Sequence, residues 1–235
     1  MTILAFEFSS PQRSVALFQP ANGGLVENEA IETGGQSTRP FEMVERVLRQ
    51  ACVEREQVRA LAVGLGPGSY TGIRIAIALA QGWDLARIVR VSGISSVECI
   101  AEEARAHGIL GLVSVVVDAQ RGEFYMADYR ISEARLSEAA PLRLVSKATV
   151  LEREKAGHTL VGPELRNWFE SGRTVFPRAA TLGKLCASRN ESVSSDQLQP
   201  IYLRPTTFVK APPPRVLPGE IRHGDSKSNY DGGAP

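Results

Sequence analysis

The chain has 235 residues, of which 43% are hydrophobic, enough for a sizeable core in one large domain or two small ones. Its 27 basic and 26 acidic side chains leave a formal net charge of +1, which argues against nucleic-acid binding through a broad basic face of its own. The sequence contains no bilayer-length apolar run and no basic signal-peptide region, and its three widely spaced cysteines are typical of reduced thiols in a cytosolic protein.

The first half of the chain predicts an α/β unit that begins with a β-hairpin. Strands are predicted over 3–8 and 14–18 around a turn at Ser9 to Gln12, and a third strand over 25–32 follows a turn at Asn22 and Gly23. Apolar residues at spacings of three and four then predict a helix. The elements that follow the hairpin are helix 40–52, strand 60–63, helix 73–88, strand 89–91 and helix 96–107.

The second half repeats the opening pattern. Strands 112–118 and 123–129 flank a short turn, and the first strand of each hairpin ends in a carboxylate, Glu7 or Asp118. Each turn also carries a basic residue, Arg13 or Arg121. Duplication about half a chain apart predicts two related lobes that present paired carboxylates to a cleft. The later elements are a mixed segment over 147–170, a helix over 181–189 and a disordered, proline-rich tail over 211–235.

A glycine-rich loop, Gly64 to Gly72, connects a predicted strand to a predicted helix, a place where proteins often hold anions. The loop lacks the lysine of a P-loop, and Thr71 occupies the third glycine position of the dinucleotide fingerprint. Two interpretations stay open. One is an anion site, and the other is a tight turn capped by Thr71 that begins a helix whose small residues suit close helix contact, within this chain or with another subunit.

Catalytic residues are not indicated by any motif. The three histidines are far apart, and the chain contains neither a nucleophile elbow nor a metal-ligand spacing. A hydrated Mg²⁺ held by Glu7 and Asp118 through the phosphates of a nucleotide is one hypothesis. The alternative is that each carboxylate accepts hydrogen bonds from its own turn.

The segment Gly66 to Arg74 resembles the GPGSFTGLR signature of the TsaB (YeaZ) family, with conservative changes at Tyr70 and Ile73. Supporting matches are Ser9-Ser10, the segment 117–125 and Pro200 to Arg204, so that the resemblance covers about residues 2–205. It implies an α/β, actin/Hsp70-like (ASKHA) fold of two lobes with duplicated βββαβα cores and a reduced second lobe. We place the lobes at 1–105 and 106–210, with the last helix of the second lobe able to pack back on the first.

The resemblance also implies a function. The family member is a non-catalytic subunit without metal or intrinsic cofactor, which pairs with the catalytic paralogue TsaD for threonylcarbamoylation of adenosine in tRNA. A TsaE-type ATPase joins the complex, ATP or ADP with magnesium binds at its interface, and tRNA is reached only through it, in the cytoplasm and away from membranes. Whether the chain forms a homodimer when the partner is absent is left open by the sequence. The alternatives are an active ATP-binding phosphotransferase or ATPase of the same fold, and a peptidase.

Candidate sites follow from the same resemblance, because the family pairs through helices that correspond to 40–52 and 71–87. The expected partner interface consists of Met43, Val47, Tyr70, Gly72, Ile73, Ala76 and Ala80. The expected nucleotide or anion contacts are Glu7, Ser9, Gly66, Gly68, Ser69 and Asp118. The chain departs from the family at Glu7, where Asp is usual, and at Glu164, which ends a Gly-Pro-Glu loop where a Gly-Asp-Gly type is usual.

Overall fold

The computed structural model of the protein describes residues 1–21, 24–34, 38–189 and 192–203. These ranges fall within one compact unit that ends at residue 204. The predicted turn at Asn22 and Gly23 and the predicted disordered tail at 211–235 lie outside the described residues. In the described part, no helix combines the length and the apolar character that a membrane span requires.

The first sheet has five strands in the order β3-β2-β1-β4-β5. Strands β1 to β3 are antiparallel neighbours, and β4 and β5 run parallel to β1 because each follows a helical crossover. The strands are β1 (Ile3–Glu7), β2 (Gln12–Ala21), β3 (Gly24–Thr33), β4 (Ala60–Gly64) and β5 (Arg90–Ile94). The helices of this half are α1 (Pro40–Ala51), α2 (Tyr70–Ala86) and α3 (Ser96–Ala106).

The second sheet repeats this connectivity, with the order β10-β9-β6-β7-β8. Where α2 connects two strands of the first sheet, the second sheet has only a turn of 3-10 helix at Leu165–Asn167. The predicted duplicated, actin-like fold with a reduced second lobe is therefore confirmed. The elements are β6 (Gly111–Asp118), β7 (Glu123–Ile131), β8 (Leu136–Ser146), α4 (Lys147–Lys155), β9 (Thr159–Gly162), β10 (Arg173–Thr174) and α5 (Ala179–Ser188).

The last helix of each half packs on the sheet of the other half. Helix α3 buries Val97, Ile100 and Ala104 in the core of the second sheet, while α5 packs on β1 and β2 of the first sheet. The start of α5 is fixed there because the Ala179 N–H donates to the buried Ser14 Oγ at 2.8 Å. The two halves are thus held together by exchanged helices.

Candidate functional site

The glycine-rich loop packs directly on the turn that follows β1. The Ser69 N–H donates to the Ser9 carbonyl at 2.7 Å, and a Cβ atom added to Gly68 would lie 2.1 Å from that same oxygen. Gly68 has a φ of +150°, which disfavours any side chain. Helix α2 begins at Tyr70, since the Ser69 hydroxyl caps it by accepting the Gly72 N–H. The prediction that Thr71 is the cap is therefore wrong by two positions.

Glu7 is completely buried beneath this loop and does not face a cleft. Its carboxylate accepts the Ser9 N–H at 2.8 Å and the Ser96 hydroxyl at 2.8 Å. Burial raises the pKa of Glu7, and the hydrogen bonds from Ser9 and Ser96 lower that pKa by a smaller amount. The structure therefore does not bring Glu7 and Asp118 together in one cleft, as the magnesium hypothesis requires, because Glu7 is buried away from the cleft that Asp118 lines.

The two hairpin turns and the start of α2 line a cleft of about 1060 Å³. Four of the predicted nucleotide or anion contacts lie together on its walls, namely Ser9, Gly68, Ser69 and Asp118, whereas Glu7 and Gly66 do not line it. The Asp118 carboxylate accepts the Gln120 N–H at 2.8 Å, which is the turn-stabilising role that the sequence left open. The remaining lining residues are Ser10, Pro11, Arg13, Gly34, Thr38, Tyr70, Thr71, Ile75, Val117, Ala119, Gln120, Tyr125, Pro163 and Glu164.

Six of the seven predicted interface residues lie inside the chain instead of on its surface. Their side chains, or the backbone in the case of glycine, are buried between the helices and the first sheet: Met43, Val47, Gly72, Ile73, Ala76 and Ala80. A Cβ atom at Gly72 would lie 1.9 Å from the Phe8 carbonyl oxygen. Gly72 thus permits close packing on the chain's own β1 turn, and Ala76 and Ala80 are buried inside the chain, so that contact of this stripe with a partner stays a prediction. Tyr70 is exposed and stays a prediction.

The exposed side of α1 and α2 forms a different surface, an apolar groove of about 920 Å³. Phe41 on α1 is 73% exposed, and helix α2 lines the groove with Leu79, Gly82 and Trp83. The Trp83 Nε1 atom is buried and has no hydrogen-bond partner among the described residues. A Cβ at Gly82 would meet nothing within 4 Å, so the groove is open above this position.

Two further apolar side chains are exposed near the end of α2, of which Ile88 lines the groove and Leu85 does not. Leu85 is 91% exposed and Ile88, just beyond the helix, is 100% exposed. The rim carries charges of both signs, including an Arg87–Glu56 ion pair at 3.1 Å. An apolar centre with a charged rim is typical of a protein–protein interface. The helix pair that was predicted to form the interface is thus retained as the candidate, with different residues.

A serine, a histidine and an aspartate also meet on the second sheet. The Ser114 hydroxyl donates to Asp128 Oδ1 at 2.6 Å and lies 2.9 Å from His158 Nδ1. In a hydrolytic triad the histidine lies between serine and aspartate, whereas here the fully buried serine lies between the other two. Burial raises the pKa of Asp128, but hydrogen bonds from Ser114 and Arg143 and the charge of Arg153 lower it further, so the carboxylate stays ionised. The cluster does not support a peptidase.

The known proteins that are similar to this chain carry the names TsaD, TsaB and YeaZ. The family model described as TsaD: tRNA N6-adenosine threonylcarbamoyltransferase matches residues 18–203. The chain is 27% identical to the tRNA threonylcarbamoyladenosine biosynthesis protein TsaB of Escherichia coli (strain K12), over 87% of this chain and 95% of that protein. It is 30% identical to the TsaB protein of Bacillus subtilis (strain 168), over 66% of each. The solved structure of YeaZ from Pseudomonas aeruginosa superimposes with a TM-score of 0.73 at 26% identity, over 86% of this chain and 99% of that one.

Proposed function

Because this chain belongs to the TsaB (YeaZ) family and takes part in tRNA threonylcarbamoyladenosine biosynthesis, we propose that it does so as a non-catalytic subunit that pairs with TsaD. The observation that carries the proposal is the apolar groove on α1 and α2. Phe41, Leu85 and Ile88 are large, apolar and mostly exposed, and the described chain does not cover them. Such a surface is stabilised when a partner removes it from water.

The groove has the properties of a docking centre. Burying each of Phe41, Leu85 and Ile88 would contribute roughly 1.5–3 kcal/mol of hydrophobic free energy. The sum is of the order needed to offset the entropy cost of association. A TsaD-type protein of the same fold would meet this groove with its own pair of helices, and two copies of this chain would use it when that protein is absent.

The non-catalytic part of this proposal is supported by the position of Glu7. Glu7 is sealed beneath the glycine-rich loop, so the alternative of an active phosphotransferase lacks its second carboxylate. The TsaE-type ATPase, nucleotide and tRNA would then reach this chain only through the complex, in the cytoplasm.

The proposal is tested by mixing the purified chain with the TsaD protein of the same organism and measuring the mass of the eluting species during size-exclusion chromatography. We expect a heterodimer from the wild-type chain, and separate peaks from a Phe41→Glu variant, which places a charge in the groove. The matched control is Ala134→Glu, an equally charged change at an exposed turn of the second half. Separate peaks from the wild type at micromolar concentration, or equal pairing by Phe41→Glu, would contradict the proposal.

A further inference from the structure

Three arginines line the α1–α2 groove beside its apolar centre. Arg55 lies in the 3-10 turn at Arg55–Gln57, Arg59 directly precedes β4, and Arg87 directly follows α2. They lie close together, because Arg87 pairs with Glu56 at 3.1 Å and Glu56 follows Arg55 in the chain. Among the described residues, Glu56 is the one carboxylate that lines the groove. The groove therefore carries an excess of positive charge.

Arg59 is the arginine of this group that lacks a counter-charge. Its side chain is exposed, and within the described ranges no carboxylate forms an ion pair with it. Its backbone is fixed on both sides, since its N–H donates to the Thr2 carbonyl at 2.9 Å and its carbonyl accepts the Arg90 N–H at 3.1 Å. A cation is thus held on a rigid base beside the groove, where it can meet a carboxylate from outside the chain.

Arg55 and Arg87 have only weak partners within the chain. Arg55 pairs with Glu45 at 3.0 Å, and both this pair and the Arg87–Glu56 pair are exposed. Exposed ion pairs contribute little to stability, because water screens them and ordering two long side chains costs entropy. The C-terminal end of α2 adds a partial negative charge beside Arg87, about half a unit, which is smaller than the excess of the arginines. Both arginines can therefore also bind a carboxylate that a partner brings.

These charges discriminate between two occupants of the groove that its apolar centre does not distinguish. Phe41 and Ile88 can be buried by any apolar surface of the right shape, so that hydrophobic burial gives affinity without choice. We propose that the arginines supply the choice: the groove prefers a subunit with carboxylates opposite Arg59 to a second copy of this chain. This inference rests on the proposed pairing through the groove and names the chemistry of the partner.

A second copy is disfavoured by symmetry. In a two-fold pair the same surface patch of both subunits meets itself. An excess of arginine would then face an excess of arginine, and like charges across an interface lower its affinity. A partner with an acidic surface replaces this repulsion with attraction, which also raises the rate of association.

The test compares the two pairings at two salt concentrations. The dissociation constant of the chain with the TsaD protein of the same organism is measured by calorimetry, and self-association of the chain alone is measured by sedimentation equilibrium. Raising sodium chloride from about 0.1 M to about 1 M shortens the screening length from about 10 Å to about 3 Å. We expect the pair with TsaD to weaken at least about tenfold and self-association to strengthen, because salt screens attraction in the first and repulsion in the second.

Charge reversal at Arg59 should act in opposite directions on the two pairings. Arg59→Glu leaves two arginines and two glutamates along the groove, so it should weaken the pair with TsaD at least about tenfold at low salt and strengthen self-association. Arg59→Gln, which removes the charge without reversing it, should give smaller changes in the same directions. The matched control is Arg130→Glu, an equal reversal at an exposed position of β7, which should pair as the wild type does. Because Arg59 is exposed, its variants should melt near the wild-type temperature.

The outcomes separate this inference from the proposed function. A wild-type chain that does not pair with TsaD contradicts the proposed function, and the self-association of Arg59→Glu still tests the role of the charges. A pair that Phe41→Glu disrupts, but whose dissociation constant is the same at both salt concentrations or with Arg59→Glu, overturns the inference. Self-association that Arg59→Glu leaves unchanged or weakens overturns it as well.

Discussion

The close packing of α2 on the first hairpin predicts that Gly72→Ala unfolds the protein more easily. The added Cβ would lie 1.9 Å from the Phe8 carbonyl oxygen, whereas carbon and oxygen approach each other to about 3.3 Å. Helix and turn would have to separate by roughly 1.4 Å, the difference between those two distances. They are joined by the Ser69 N–H bond to the Ser9 carbonyl at 2.7 Å, so neither side moves freely.

The expected cost is at the upper end of overpacking, about 3 kcal/mol. For a domain of this size that corresponds to a fall in melting temperature of roughly 6–12 °C. Gly82, on the same helix, is the matched control, since an alanine Cβ there meets nothing within 4 Å. Gly82→Ala should stabilise the protein by about 0.5–1 kcal/mol, because alanine has the higher helix propensity.

Both variants are measured by urea unfolding followed by circular dichroism. The account predicts free energies of unfolding that shift in opposite directions, with Gly72→Ala below the wild type and Gly82→Ala above it. If Gly72→Ala were as stable as the wild type, the close approach of α2 to the β1 turn would be wrong, and the small-residue stripe would again be free to contact a partner.

Three further changes test the interior of the protein. Ser96→Ala should lower the free energy of unfolding by about 2 kcal/mol in urea titrations, because the Ser96 hydroxyl accepts the Gly66 N–H and donates to buried Glu7; an unchanged midpoint would contradict this. Burial lowers the pKa of His158 below that of the unfolded chain, so stability is complete above about pH 6.5 and is lost as the pH falls below it; His158→Gln should flatten that slope. Glu164→Gly should raise the melting temperature, since Glu164 has a φ of +53° and glycine removes roughly 1 kcal/mol of left-handed strain; a lower melting temperature would count against it.

The duplicated hairpins could be predicted from the sequence because alternating apolar residues and turn residues are local signals. Helix α4 was missed within the mixed segment 147–170, and strand β8 lies just before that segment, where no element was predicted. Strand β8 lies at the sheet edge, is largely half-exposed and contains Pro141, which is tolerated there because an edge strand lacks a neighbour on one side. A pattern with proline and charges among apolar residues does not distinguish such a strand from a loop.

The candidate sites could also be predicted only in part, because the sequence does not show which residues become neighbours in the fold. The sequence indicated that Gly72 permits a close approach, but only the fold shows that the neighbour is the Phe8 carbonyl of the same chain. The sequence also predicted helix 73–88, which contains Leu85. Which side stays exposed depends on where the sheet lies. Arg13 was visible as a turn cation, whereas the burial of its Nε atom without a hydrogen-bond partner is a property of the folded chain.

The central claim is that the α1–α2 groove pairs with a TsaD-type subunit, and the most direct measurement is the dissociation constant of that pair by calorimetry for Gly82 variants. Gly82→Glu places a charge at the open centre of the groove without a clash inside the monomer. The account predicts that Gly82→Glu melts near the wild-type temperature and weakens pairing by at least about a hundredfold, which corresponds to about 2.7 kcal/mol, whereas Ala134→Glu pairs as the wild type does. Wild-type affinity for Gly82→Glu would show that the groove is not the interface.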